Sequence, residues 1–325
     1  MVAVLPLTPQ LLPSPVPLLR ARDRPGVRLD REAAAGRLAL VRPGVYAPLA
    51  PWHALAPWDR YLARVHAVAL TRPEAVFCLE SAAALLGLPV FGEPPFVHVL
   101  SSTATSRESA GIRTHSTSEA REVVDIGGIL VTAPIEVAVD TARARHAALA
   151  LAAADAVLRA DPTASVEQLV ARNESRATSR GRRRARWALH RADAQAQSPL
   201  ESVSRAVIEW LGFPPPELQA VVTTALGEYA LDMLWRHVRL GGETDGRVKY
   251  DGRYGDPAQV VWDEKRREDE LRRHLADLAR WGWPELREPM TLRRILMAGG
   301  LQPIAAMRTD ELFSLRAALF AGLAR

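Results

Sequence analysis

The segment "LGGETDGRVKYDG" (240–252) decides how the C-terminal half of this chain is read. Glu243 and Asp245 stand one residue apart behind the pair Gly241-Gly242, and Lys249 follows. On a strand, alternate residues share a face, so Glu243 and Asp245 project together while Thr244 turns away with its carbonyl near both. In the competing reading "TDG" forms a type I′ hairpin and the acids are turn residues. Periodicity within the segment leaves both open.

The flanking sequence adds context. "ELQAVVTTA" (217–225) and "EYALDMLW" (228–235) read as strands joined around Gly227, and Asp232 sits inside an apolar run, where an unpaired acid is costly. If 240–252 is the next strand, Asp232, Glu243 and Asp245 converge as hard oxygen donors. Such donors with open water positions suit Mg²⁺, which can activate water and steady the leaving oxygen of a phosphodiester. Gly241, Gly242 and Gly246 would let a DNA backbone approach. Upstream, "SPLESVSRAVIEWLGF" (198–213) predicts a helix: Ser198 as N-cap, Pro199 at the first helical position, Glu201 at capping-box spacing and Gly212 as the stop. Downstream, "DEKRREDELRRHLADLARWG" (263–282) predicts one long charged helix in which Glu264, Lys265 and Arg267 form ion pairs.

This order of helix with glutamate, strand with aspartate ("LDMLW") and then "GETDGRVKY" resembles the Vsr-like branch of the PD-(D/E)XK nucleases, whose strands read "VDF.W" and "VE.DG". The resemblance implies a restriction-endonuclease fold, a mixed sheet flanked by helices, over residues 198–325. It carries Glu201, Asp232, Glu243 and Asp245 onto the acidic site. Asp232, Glu243 and Asp245 would bind Mg²⁺, Asp245 would also position or deprotonate water, and Lys249 would offset phosphate charge. The strand that usually follows the long helix falls on "GWPELREP" (282–289), where Pro284 and Pro289 cannot donate to a ladder, so it is expected short, at an edge or lost.

The N-terminal half reads differently. Residues 1–25 are Pro/Leu-rich and irregular, "LDREAAAGRL" (29–38) is helix-like, and "ALVRPGVYAP" (39–48) alternates around Pro43-Gly44, as the last helix and wing of a degenerate winged helix (1–50) would. Residues 51–175 read as an α+β unit: helices at "WDRYLARVHAVALT" (58–71) and "LESAAALLGL" (79–88), strands at "FVHVLS", "GIRTHS" and "GILVTA", and a helical pair from Pro134 to Ala160. Ser81 reads as a helix cap. Residues 176–197 form an arginine-rich helix and linker, in which Arg182, Arg183, Arg184 and Arg186 are candidate sequence-independent phosphate contacts, with a solvated helix face as the alternative. "RLALVRPGVYAP", "LESAAALLGLPVF", "FVHVLSS" and "VTAPIEVAVDTAR" are similar to actinobacterial AbiEi-type antitoxins of type IV toxin–antitoxin systems. That resemblance implies DNA binding through the winged helix, promoter repression and a cognate toxin partner.

Composition is compatible with these readings. In 325 residues there is room for two or three folding units, and 48% hydrophobic with 24% charged residues is globular. The net charge of +5 comes from arginine, the only lysines being Lys249 and Lys265, and favours an anionic partner ahead of a membrane. A single cysteine, Cys78, excludes an intramolecular disulfide and reads as buried filling in a cytoplasmic protein. The eight histidines show no paired metal spacing, and no phosphate-loop or dinucleotide fingerprint occurs. Three functions stay open: a Mg²⁺-dependent endonuclease acting on DNA, a non-catalytic DNA-binding antitoxin or regulator that keeps the nuclease shape, or an interaction scaffold that neutralises a toxin partner.

Overall fold

The computed structural model describes residues 10–102, 105–117, 119–224, 227–245, 266–268 and 270–320. It is a mixed α/β protein built on three sheets flanked by helices. The first sheet is small and antiparallel: Leu19–Arg20, Val45–Pro48 and Leu38–Arg42 lie side by side in that order. The helix expected over 29–38 ends at Ala34, and the chain turns at Gly36 into the strand. Val16, Ala47 and Ala63 form a satellite core beneath this sheet, Ala63 coming from the helix Pro57–Thr71.

The second sheet has six strands, with the expected Val97–Ser101, Ile112–Ser116 and Ile129–Thr132 joined by the shorter Val76–Phe77, Arg107–Ser109 and Val123–Ile126. Two of its pairings are parallel and three antiparallel. The helical pair is present as Pro134–Ala144 and Ala147–Ala160. The second of these is buried almost all round, because its alanines let three other helices pack close: Pro134–Ala144, Arg182–Leu189 and Pro199–Trp210. Through it a single apolar core runs from Tyr61 to Leu319. The segment read as a linker takes part, with Ala185, Ala188, Leu189, Ala192 and Ala196 all buried.

The third sheet positions the candidate site. Its strands run Glu217–Thr224, Gly227–Trp235, Leu240–Thr244 and Asp277–Trp281, two antiparallel pairings followed by a parallel one. Residues 240–244 are therefore a central strand, and the chain reverses upstream of them, at 236–239. The long helix expected over 263–282 is corrected: helical residues stop at 274, and Asp277–Trp281 is a strand. The local pattern is ambiguous there, since Leu271, Leu275 and Leu278 keep helical spacing. A parallel strand covered on both faces also reads as an apolar run. "GWPELREP" is no strand but the short helix Trp283–Arg287, with Pro284 in its first turn and Glu285 bonding back to the Gly282 amide at 2.7 Å.

The sheet has two distinct faces. Met233, Trp235, Ala279 and Trp281 join the main core beneath the helix Pro199–Trp210, where Trp281 Nε1 donates to Ser204 Oγ at 2.8 Å. Leu231, Leu234 and Leu278 meet Leu271 and Leu275 of the helical segment on the other side. Gly241 and Gly242 are required by this double packing. A Cβ on Gly241 would lie 2.8 Å from Leu275 Cδ1, and one on Gly242 would lie 2.6 Å from Trp281 Cη2. The expectation that these glycines open the strand to DNA is thus corrected: both are buried to admit neighbouring side chains. Gly246 lies outside the described residues.

Candidate functional site

Each predicted acid can be followed from its element. Ser198 caps the helix Pro199–Trp210, its Oγ accepting from the Glu201 amide at 3.1 Å. The return half of the capping box goes one residue further back, because Glu201 Oε2 accepts from the Gln197 amide at 2.9 Å. The same oxygen accepts from Gln219 Nε2 at 3.2 Å. Glu201 is 4% exposed, and this burial pushes its carboxyl up; the Gln197 amide opposes the shift, and the negative charge of Asp232 adds to it.

Asp232 lies where the alternation of its strand breaks, since Leu231 and Leu234 share the outer face while Met233 faces the main core. Across from it, Gln219 adopts φ 46°. The Asp232 carboxylate does not stand open: Oδ2 accepts from both the amide and the hydroxyl of Thr244, each at 2.8 Å. Thr244 is paired with Trp281, whose side chain is in the main core, so Asp232, Thr244 and Glu201 gather on the side of the helix Pro199–Trp210.

Glu243, one residue along, turns to the other face by strand alternation. It is only 8% exposed, and both oxygens are occupied: Oε1 by Arg267 at 2.6 Å and Oε2 by Arg280 at 3.1 Å. Arg267 also donates to the Ala230 carbonyl, and Arg280 reaches Glu268 at 3.4 Å. Asp245 is exposed at the strand end, its amide donating to the Trp281 carbonyl at 2.8 Å. Lys249 lies outside the described residues, as does Lys265.

The structure therefore brings Asp232 close to Glu201 and separates that pair from Glu243. Among the described residues no group of three His, Cys, Asp or Glu side chains is placed to hold a metal ion. The donor chemistry suits Mg²⁺, but the arrangement does not: the carboxylate meant to bridge the site is already neutralised by two guanidinium groups. Sequence reading missed those partners. The local pattern pairs Arg267 along its own helix and puts Arg280 in a helix, whereas Arg280 lies beside Glu243 on a parallel strand.

The arginine run divides in two. Arg186 makes a two-pronged bridge to Glu174 at 2.9 and 2.7 Å, and Arg182 donates to the Arg176 carbonyl. Arg183 and Arg184 are exposed and make no side-chain hydrogen bond or ion pair among the described residues. Gly181 fixes the start of this helix, because its φ of 74° and the Arg143 carbonyl, 2.2 Å from a would-be Cβ, exclude any side chain.

Two buried clusters carried no sequence signal. Asp155 accepts from the Asp193 amide and from Arg205 Nη1, each at 2.8 Å, and burial pushes its carboxyl up to about 6 against the pull of Arg205. Ser81 is corrected from a cap to a core bridge: its hydroxyl meets Tyr61 and accepts from the His98 amide, both at 2.7 Å. His98 in turn bonds His115 at 2.8 Å, and burial lowers it to about 4. Cys78 is buried, as expected.

Fold and site together define a mixed α/β protein with a buried polar cluster on the helix-covered side of its last sheet. No protein-family model matches the chain. It is 34% identical over 244 residues to uncharacterized protein Rv2248 of Mycobacterium tuberculosis strain ATCC 25618 / H37Rv, and equally to uncharacterized protein MT2308 of strain CDC 1551 / Oshkosh. The match covers 74% of this chain and 83% of each relative, and the chain belongs to the family of these mycobacterial proteins. Among the described residues no helix is long and apolar enough to cross a membrane.

Proposed function

We propose that this chain is a non-catalytic DNA-binding protein, an antitoxin or regulator of the AbiEi kind, whose C-terminal unit keeps a Vsr-like nuclease layout as a binding scaffold. The observation that carries this reading is the double arginine clamp on Glu243. A carboxylate with both oxygens in charge-assisted bonds is a poor Mg²⁺ ligand, and a guanidinium fork is a geometry that also recognises phosphate. Exposed Arg183 and Arg184 add sequence-independent contacts. The N-terminal three-stranded sheet, with its hairpin around Pro43-Gly44, supports a degenerate winged helix. A cognate toxin partner and a cytoplasmic location go with this reading, and co-purification from the native host tests the partner.

A second reading has its own support. Glu201 and Asp232 are close enough for one charge to shift the other, as in sites built from paired acids. On that basis the unit is a Mg²⁺-dependent endonuclease using Asp232, Glu243 and Asp245, with Glu201 and Lys249 in support, and Glu243 has to leave Arg267 and Arg280.

One experiment separates the two. Purified protein is incubated with supercoiled plasmid and Mg²⁺ or Mn²⁺, and separately with its own promoter fragment in a mobility-shift assay. The binding reading expects a shift and intact plasmid. Metal-dependent nicking that Asp232→Ala abolishes overturns it in favour of the nuclease.

A further inference from the structure

The N-terminal sheet holds a charge that the rest of the molecule leaves unanswered. Arg42 ends the strand Leu38–Arg42, directly before the Pro43-Gly44 turn. The pairing with Val45–Pro48 shifts register between Leu40 and Arg42, leaving Val41 as an extra residue. Bulges of this kind re-aim the side chains beside them. Arg42 Nε and Nη1 are both buried without a hydrogen-bond partner.

A like charge makes this worse. Arg72, at the C-terminal end of the helix Pro57–Thr71, acts on Arg42 as a like charge. Arg72 makes no side-chain hydrogen bond or ion pair among the described residues. A third arginine, Arg20, donates to the Leu70 carbonyl at 2.5 Å, but it is neutralised by Asp23 at 2.7 Å. The helix C-terminus favours cations, yet Arg42 takes none of its carbonyls. Two other arginines with buried, unbonded nitrogens do have carboxylates: Arg176 has Glu136 and Asp140, and Arg280 has Glu243. A guanidinium in this position, beside a second one, is costly unless an anion completes it.

We propose that Arg42 and Arg72 form a binding site for a phosphate-type oxyanion, supplied either by a nucleic-acid backbone or as free phosphate. The site stands independently of the C-terminal unit, and the Arg42 guanidinium provides the donor fork for the anion.

The test uses the full chain, inorganic phosphate and a short DNA duplex, with Arg42→Met, Arg72→Gln and, as a control for net charge, the exposed and unpaired Arg31→Gln. Thermal unfolding is followed in phosphate and in chloride at matched ionic strength. Phosphate is expected to raise Tm by a few degrees in the parent protein and in Arg31→Gln, and not in Arg42→Met or Arg72→Gln. In chloride, Arg42→Met is expected to be at least as stable as the parent; a clear loss of Tm marks a structural arginine and overturns the proposal. Duplex binding is then measured against salt. A slope of log K against log salt reduced by about 1 in the two site variants assigns the anion to the DNA backbone. An unchanged slope with the phosphate effect lost, or a parent that binds no duplex but keeps that effect, assigns it to free phosphate, and the latter result overturns the DNA reading alone. Equal phosphate responses in all variants, or none in the parent, overturn the site even where DNA binds.

Discussion

The two sides of the C-terminal sheet handle their acids in opposite ways. Under the helix Pro199–Trp210, Glu201 and Asp232 are held by neutral hydrogen-bond donors, two backbone amides, the Gln219 amide and the Thr244 hydroxyl. On the outer side Glu243 faces two arginines. The inner side holds two acids without a cationic partner among the described residues, whereas the outer side sets Arg267 and Arg280 against Glu243 and Glu268. Asp232 and Glu243, successive acids of one sequence pattern, thus belong to different electrostatic environments because neighbouring strands turn them to opposite faces.

Adjacent residues on one strand test that division most strongly. Trp281, 2% exposed, fills the inner side next to Gly242, and Trp281→Ala is expected to cost about 3–5 kcal/mol in chemical denaturation. Its neighbour Arg280 faces outward and is partly solvated, so Arg280→Met is expected to cost about 1 kcal/mol or less. Similar losses at both positions would dissolve the contrast.

The next largest effect lies behind the inner side, at Asp155. Its carboxyl is raised in the folded protein, so the folded state holds a proton that the unfolded chain has released. The penalty is absent below the unfolded value near 3.8, grows as pH rises and is complete above about 6. A rise of roughly 2 units corresponds to a loss of roughly 3 kcal/mol across that window. Urea denaturation of the parent at pH 4 and pH 7 is expected to show this loss, with Asp155→Asn flattening the window. Parallel curves for the two proteins would remove Asp155 as its source.

On the outer side, Glu243→Gln removes the carboxylate charge that Arg267 and Arg280 share. Stability is expected to fall by about 1–2 kcal/mol, as charge-assisted bonds are replaced by neutral ones. Duplex affinity is expected to rise a few-fold at low salt, with a steeper salt dependence in fluorescence anisotropy. Weaker binding by this variant would show that Glu243 itself contacts the complex and would favour the nuclease reading.

How much of this was legible in the sequence follows from the range of each interaction. The helix Pro199–Trp210 was readable because Ser198, Pro199, Glu201 and Gly212 are local signals acting within a few residues. For Glu243 the local pattern fits strand and hairpin alike, and only the flanking segments favour the strand that Leu240–Thr244 forms. The strand Asp277–Trp281 was not readable, because Leu271, Leu275 and Leu278 satisfy helical spacing while the partner that makes the last stretch a strand is Leu240–Thr244, distant in sequence. The Arg267–Glu243 and Arg280–Glu243 pairs were hidden by the same distance. Gly241-Gly242 was read as an opening because a sequence shows a missing side chain but not the Trp281 and Leu275 that fill its place.

The smallest expected effect is the most specific to the inner side. Asp232→Asn keeps a carbonyl oxygen able to accept from the Thr244 amide and hydroxyl, so stability is expected to change by less than about 1 kcal/mol. It removes the negative charge that pushes Glu201 up, while the burial of Glu201 stays the same. The Glu201 carboxyl is therefore expected to titrate lower in Asp232→Asn than in the parent, followed by the NMR shift of its side-chain carboxyl carbon. An unmoved Glu201 would mean that burial alone raises it, that the two acids do not sense each other, and that the inner side holds two separate polar contacts instead of a shared acidic pocket. Either result bears on the nuclease reading, which needs those two acids to act on one ligand.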